Sequence, residues 1–434
     1  MRGMNIALAL LVPASALAQQ LWLLRSIRMY GGEDETAPPV LLLSPDAQTA
    51  PSMGFPFVTL EVDVDASVPP ALIARFVHCR PDWSESGNVF LSFGAAGTSL
   101  FSWEPAPSGS RFYSYRGRLR IPNPQVTIPY AGNWKLLLFE RGSEQPVGEA
   151  RFFAVQPQAV CRVSVYSDLY TAPPGISPAA VTVEAVVSVP PELSADQRLQ
   201  TVVFYRRHRW FEPYIVSHDR TLTAGTQRLY RTPYRGSIAG MLPGAKLFRL
   251  ERIPAQNEYR VLDLSNPTQF PPYTSSPLRF PLADLRRNGS FWDWADDGAA
   301  VTSHLAPYLQ DYVPLEFVLD PEGAPPLPSE VFVVGSFNGW RASAEWRLSY
   351  DPEERLYRLR QLVRRGRHNY LYATGYLNAD TGSVESLSFE EWEGNTTSTR
   401  ISFWAFVYYR FPDFGGYDAL IAVGAANLQG PLQP

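Results

Sequence analysis

Asp380-Thr381-Gly382-Ser383 carries the short signature of aspartic peptidases, in which two carboxylates share a proton and activate water. That chemistry needs a second aspartate in the same setting, and the chain has no other Asp-Thr-Gly and no Asp-Ser-Gly. A hairpin turn built from Asn378, Asp380 and Gly382 accounts for the same residues. The five histidines, His78, His208, His218, His304 and His368, are dispersed, with none at the short spacing of a zinc site. Asp293, Asp296 and Asp297 offer oxygens but lack the alternate-position pattern of a calcium loop, so they read as a solvated acidic turn. Glu390 and Glu391 are adjacent, and on a strand they would face opposite ways. There is no Gly-x-Ser-x-Gly elbow and no phosphate-binding glycine loop. The expectation is a protein without catalytic residues, metal or cofactor.

A binding pattern is more visible. Gly335-Ser336-Phe337-Asn338-Gly339-Trp340 follows the apolar run Glu330 to Val334 and resembles the Gly-x-Phe-Asn-x-Trp run of starch- and glycogen-binding sandwich modules. In such a module the Trp340 face would stack on a sugar ring while Asn338 hydrogen-bonds its hydroxyls. The alternative is purely structural: Asn338-Gly339 makes a turn, with Phe337 and Trp340 packed under the strand end.

The elements that must position these residues follow from composition and pattern. A chain of 434 residues exceeds what one core usually serves, so two or three domains are expected. Hydrophobic residues make up 45% and charged residues 18%, with 11 Trp, 22 Tyr and 24 Phe, which excludes wholesale disorder. Forty prolines are about twice the usual share of roughly 5%, and they interrupt helices and supply turns. Period-two alternation over Arg111 to Ile121 sets Tyr113, Tyr115, Leu119 and Ile121 on a core face, with Ser114, Arg116, Arg118 and Arg120 on a wet one. The same period recurs at Val181 to Val187 and Leu356 to Val363. The fold class expected is all-β, three tandem immunoglobulin-like (E-set) β-sandwich domains.

Residues 1 to 18 have a charged start, an apolar run from Ile6 to Val12 and Ala16-Leu17-Ala18, the layout of a secretory signal peptide. No run reaches the roughly 20 residues needed to span a bilayer, so the chain reads as exported and not membrane-spanning. Punctuation then divides it into an N-terminal tail (19–50), a first sandwich (51–156), a second (157–264), a Pro- and aromatic-rich connecting segment (265–311), a third sandwich (312–425) and a C-terminal tail (426–434). A formal net charge of -4 lacks the electrostatic footprint of a nucleic-acid binder. Lysine stands only at Lys135 and Lys246, so arginine carries nearly all the positive charge. Cys79 and Cys161 are either one disulfide or two buried small hydrophobes.

An ordered set of short runs carries a further resemblance. His78-Cys79-Arg80-Pro81-Asp82-Trp83, Arg120-Ile121-Pro122-Asn123, Ala131-Gly132-Asn133-Trp134 and Arg209-Trp210 are similar to the plug protein family of type IX secretion. So are Asp311 to Phe317, the Phe337 to Trp340 turn, Glu393-Gly394-Asn395, Val407 to Arg410 and Tyr417 to Ile421. The resemblance covers roughly residues 50 to 425. It implies a periplasmic β-sandwich protein, monomeric when free, that binds the periplasmic mouth of a very large outer-membrane β-barrel translocon and occludes its channel. This chain departs from the pattern in its richness in Arg and Pro and in Ala131, where Ser is common. A plug must seal and still leave, which calls for a polar-rimmed interface with a few aromatic or arginine anchors. Phe291, Trp292 and Trp294 in the connecting segment are candidates for partner contact or for an interdomain joint.

Overall fold

The alternating run Val58–Ala66 places Val58, Leu60, Val62 and Val64 on one face, and all four are buried in the core of the first sandwich. A computed structural model describes residues 22–43, 53–92, 97–193, 195–242, 244–279, 282–287 and 298–428. In it Val58–Ala66 pairs antiparallel with Trp22–Gly31 on one side and Tyr115–Ile121 on the other, with Ser102–Pro105 beyond. The facing sheet runs Val40–Leu42, Pro146–Val155, Gly132–Glu140, Leu72–Cys79. Residues 19–50 are therefore not a tail over their described part: both strands found there join this sandwich. Their apolar positions, Trp22 and Leu41, are buried in its core.

The second sandwich has one sheet of Arg235–Leu242, Ala245–Pro254, Ala179–Ser188 and Val160–Leu169. Its other sheet is Tyr214–Ser217, Leu199–Arg206, Ile401–Phe411 and Tyr417–Leu428. Val202 stands opposite Val407, so the last two strands of the chain complete this domain and not the third. Phe403, Ala405, Val407 and Tyr409 enter its core, whereas Trp404, Phe406 and Tyr408 on the opposite face pack towards the first sandwich. The expected boundary at 425 is corrected, and so is the start of the C-terminal tail, because the last strand runs to Leu428.

The third domain lies in sequence between strands of the second. Its nine-stranded sheet runs from Arg260–Asp263 through Arg367–Leu377, Glu330–Gly335, Arg347–Asp351, Leu356–Arg364 and Tyr312–Asp320 to Leu278–Arg279. Asp284–Leu285 and Val384–Ser388 pair off this path. The stretch 265–311, expected as a connector, belongs to the third domain where it is described. Leu278–Arg279 and Asp284–Leu285 pair parallel with Tyr312–Asp320, and Phe270 is buried in the same core. The molecule is thus an all-β, multi-domain sandwich protein. No helix among the described residues is long and apolar enough to cross a membrane.

Candidate functional site

Three junctions tie the domains together, and they are built from the residues with the strongest chemistry in the chain. Between the first and third sandwiches, the polar face of Val58–Ala66 is covered instead of wet. Glu61 is 3% exposed and Asp63 is fully buried. Glu61 accepts from Arg28 (2.5 Å), Arg364 (2.6 Å) and Arg118 (3.0 Å). Asp63 receives a two-pronged contact from Arg116 (2.7 and 3.1 Å) and the Tyr312 hydroxyl at 3.0 Å. Arg116, expected on a wet face, is buried because the third domain lies over it. Burial by itself would raise both carboxylates, but the surrounding guanidiniums outweigh it and hold Asp63 below, and Glu61 well below, the usual range. Glu35 follows the same logic: burial opposes ionisation, yet Arg28 and the Thr302 and Ser303 donors bring it down to about 2. Asp311 adds contacts to the Ser110 hydroxyl (3.0 Å) and the Arg111 amide (2.9 Å).

The first and second sandwiches meet through aromatics. Trp83 Nε1 donates to the Tyr205 hydroxyl at 2.8 Å, and Phe153 stacks on Phe406 with centroids 4.0 Å apart. Buried Asn133 accepts from the Tyr408 hydroxyl (2.6 Å) and donates to the Arg80 carbonyl (3.2 Å). Gly132, at φ 143°, is required here: a Cβ would sit 2.4 Å from His78 Nε2. Cys79 and Cys161 are free thiols, and burial pushes both up to about 12.

The second and third domains are joined at Arg209, fully buried, which donates to Glu212 (2.6 Å) and Gln256 (2.5 Å). Its guanidinium lies over the Phe389 and Trp340 rings, 4.3 and 5.4 Å from their centroids. Asn395 receives the Gln256 amide (2.8 Å) and donates to the Tyr170 hydroxyl (2.9 Å).

The sugar-binding expectation is corrected by this geometry. Trp340 is 1% exposed, and its Nε1 donates to the Gly298 carbonyl at 2.8 Å, so no face is open to stack on a sugar. Asn338 spends its side chain on the turn, accepting from Gly335 N (2.9 Å) and donating to Val333 O (3.1 Å). Asp380 occupies an exposed hairpin turn, where Asn378 accepts from the Asp380 and Thr381 amides and Gly382 takes φ 67°. Glu390 and Glu391 open a helical turn, Glu390–Glu393, and do not lie on a strand. Buried Glu390 accepts from Tyr170 and Ser388. Phe291, Trp292 and Trp294, Asp293, Asp296 and Asp297, and the leader 1–18 lie outside the described residues. Among the described residues, no three His, Cys, Asp or Glu side chains are grouped to hold a metal.

Sequence reasoning missed the Glu35, Glu61, Asp63 and Arg364 cluster. One signal was present: Glu61 and Asp63 alternate with valines, and the neighbouring strand places Arg118 and Arg116 directly opposite them. These features define a class: a multi-domain β-sandwich protein whose polar and aromatic residues are invested in interdomain joints. No protein-family model matches the chain, and no curated protein matches its sequence. Among solved structures it is similar to a hypothetical protein from Parabacteroides merdae ATCC 43184, with a TM-score of 0.71 and 18% identity over 94% of this chain and 98% of that one. Identity at that level shows a shared fold. A weaker match, Escherichia coli α-2-macroglobulin activated by porcine elastase, has a TM-score of 0.18 and carries no argument.

Proposed function

We propose that the protein is a non-enzymatic, periplasmic plug of the type IX secretion system, binding the periplasmic side of the large outer-membrane β-barrel translocon and occluding its channel. One observation carries the reading. All the runs that resemble the plug family, except Arg120 to Asn123, reach a junction between domains: Trp83, Asn133, Tyr408 and Leu420 where the first and second sandwiches meet, Tyr312 where the first and third meet, and Arg209, Trp340 and Asn395 where the second and third meet. The resemblance therefore concerns the residues that set the relative placement of three sandwiches, which is what gives an occluding body its shape.

A body held at three junctions suits this role physically. A plug opposes passage only if it does not fold at a hinge, and each domain here is braced against both others by buried contacts. The arginine-bearing surface supplies anchors for a reversible contact. Affinity capture of the tagged protein from native membranes, under conditions that preserve the translocon, tests the reading. Co-purification of a large outer-membrane β-barrel is expected, and recovery of the protein alone would overturn it.

A further inference from the structure

Arg235–Leu242 is the terminal strand of its four-stranded sheet, paired with Ala245–Pro254 in unbroken register from Arg235 to Gly240. On its other side, residues 236–241 make no backbone hydrogen bond to any described residue. The side chains leave this main chain bare. Gly236, Ser237, Ala239 and Gly240 are small and exposed, and a Cβ added at Gly240 would meet no atom within 4 Å. Ile238 turns inward against the core of the second sandwich, and Met241 is 51% exposed.

Other terminal strands of the two N-terminal sandwiches are blunted in the ways that keep sheet edges from pairing. Ser102–Pro105 is short and carries Glu104 and Pro105. Leu72–Cys79 is capped on its outer side: Thr98 and Ala74 exchange backbone bonds of 2.8 and 2.9 Å, and the Ser86 amide donates to the His78 carbonyl at 3.0 Å. Val160–Leu169 lies against Tyr417–Leu428, where a Cβ on Gly424 would meet the Cys161 carbonyl at 2.8 Å. Residues 236–241, by contrast, hold no charge and no proline.

We propose that this edge binds an extended segment of a partner polypeptide, which adds to the sheet as a fifth, antiparallel strand. Its bare N–H and C=O groups select another strand, because only an extended backbone offers donors and acceptors at the matching spacing. Charge sets the chemistry of the segment. Arg235 is exposed at the start of the edge, and Glu251 opposite it is bonded to Arg249 at 3.1 Å, so no described carboxylate pairs with Arg235. An antiparallel segment brings its C-terminal end to Arg235, so the segment that fits is uncharged and β-branched with an Asp or Glu at that end. A second copy of this chain fits less well. Its own edge, uncharged over 236–241, would bring Arg235 no carboxylate, and so short a contact falls far below the roughly 20–30 residues a side of stable interfaces. The proposal rests on the second sandwich and not on the plug reading, so it stands or falls separately from translocon capture.

The test is hydrogen exchange of the full mature chain, read by mass spectrometry over residues 235–242, with the acetylated and amidated peptide Thr-Val-Thr-Val-Thr-Glu as probe. A saturable slowing of exchange is expected there. The same peptide ending in Lys should bind about threefold more weakly, and Arg235→Glu should reverse that order. Successive strand residues point their N–H groups to opposite sides, so of Ala239→Pro and Gly240→Pro one loses only an outward donor. That variant should keep its melting temperature and bind at least about tenfold more weakly. Unslowed exchange with the Glu peptide would overturn the proposal. So would full binding by a folded proline variant, or a peptide order that Arg235→Glu leaves unchanged. Slowing that follows protein concentration without peptide would overturn it too, by giving the edge to a second copy.

Discussion

Arg364 Nη1 lies 2.6 Å from Glu61 Oε1, an ion pair between residues 303 positions apart that closes the junction of the first and third sandwiches. Glu61→Gln would leave Arg28, Arg116 and Arg364 crowded in a buried site without one of their counter-charges. Removing one partner of a buried pair typically costs about 3–5 kcal/mol, and that loss is expected here in denaturant unfolding. An unchanged midpoint would show that water enters the junction.

Acid should weaken the molecule in two stages. Burial lowers His78 and His368 from 6.5 to about 4, so the folded state resists their protonation. Their contribution is complete above pH 6.5 and is lost as pH falls from there to about 4. Glu35, held at about 2 against an ordinary 4.5, contributes fully above 4.5 and loses that contribution between 4.5 and about 2, with Glu61 and Asp63 shifted in the same direction. Thermal unfolding followed from pH 7 to 3 should show both declines. A flat profile would contradict the neutral histidines and the paired carboxylates alike.

Trp340→Ala removes a buried ring from under Arg209 and the hydrogen bond to Gly298. A destabilisation of about 3–5 kcal/mol is expected from chemical denaturation, as for other large-to-small core changes. Calorimetric titration with a soluble glucan should give no heat in wild type. Heat lost in the variant would restore Trp340 as a sugar contact.

Gly132→Ala drives a Cβ towards His78 Nε2 at 2.4 Å in a backbone conformation that side chains disfavour. A loss of about 2 kcal/mol is expected, concentrated at the first–second junction. Limited proteolysis should cut the variant faster near residues 156–158. Equal rates would place the strain elsewhere.

Cys79 and Cys161, both pushed up to about 12 by burial, should resist thiol reagents in the native state and react only on unfolding. Reductant should leave the melting temperature unchanged. A reductant-dependent shift would reveal a disulfide.

Local patterns were readable wherever a turn or an alternation sets its own geometry. The Asn338-Gly339 turn and the Asn378 to Gly382 hairpin formed as their residues require, with Gly339 at φ 62° and Gly382 at φ 67°. The core face of Val181 to Val187 followed period two, as did Leu119 and Ile121, whereas Tyr113, expected on that same face, packs against Tyr312 at the junction of the first and third sandwiches. The partner of a strand, by contrast, is not encoded in its own periodicity. Ile401–Phe411 is apolar on both faces, and nothing local distinguishes pairing with the adjacent third domain from pairing with Leu199–Arg206, some 200 residues earlier.

Composition and alternation alone determined that this chain is a set of β-sandwiches punctuated by proline and glycine, because those signals act within a few residues. Tertiary structure decided that the third domain lies between strands of the second, that the N-terminal strands complete the first, and that the faces bearing Glu61 and Arg116 are buried. A polar strand face reads as solvated until another domain with compensating charge covers it. Whether Trp340 meets a ligand or Arg209 likewise depends on which residues distant in sequence pack against it.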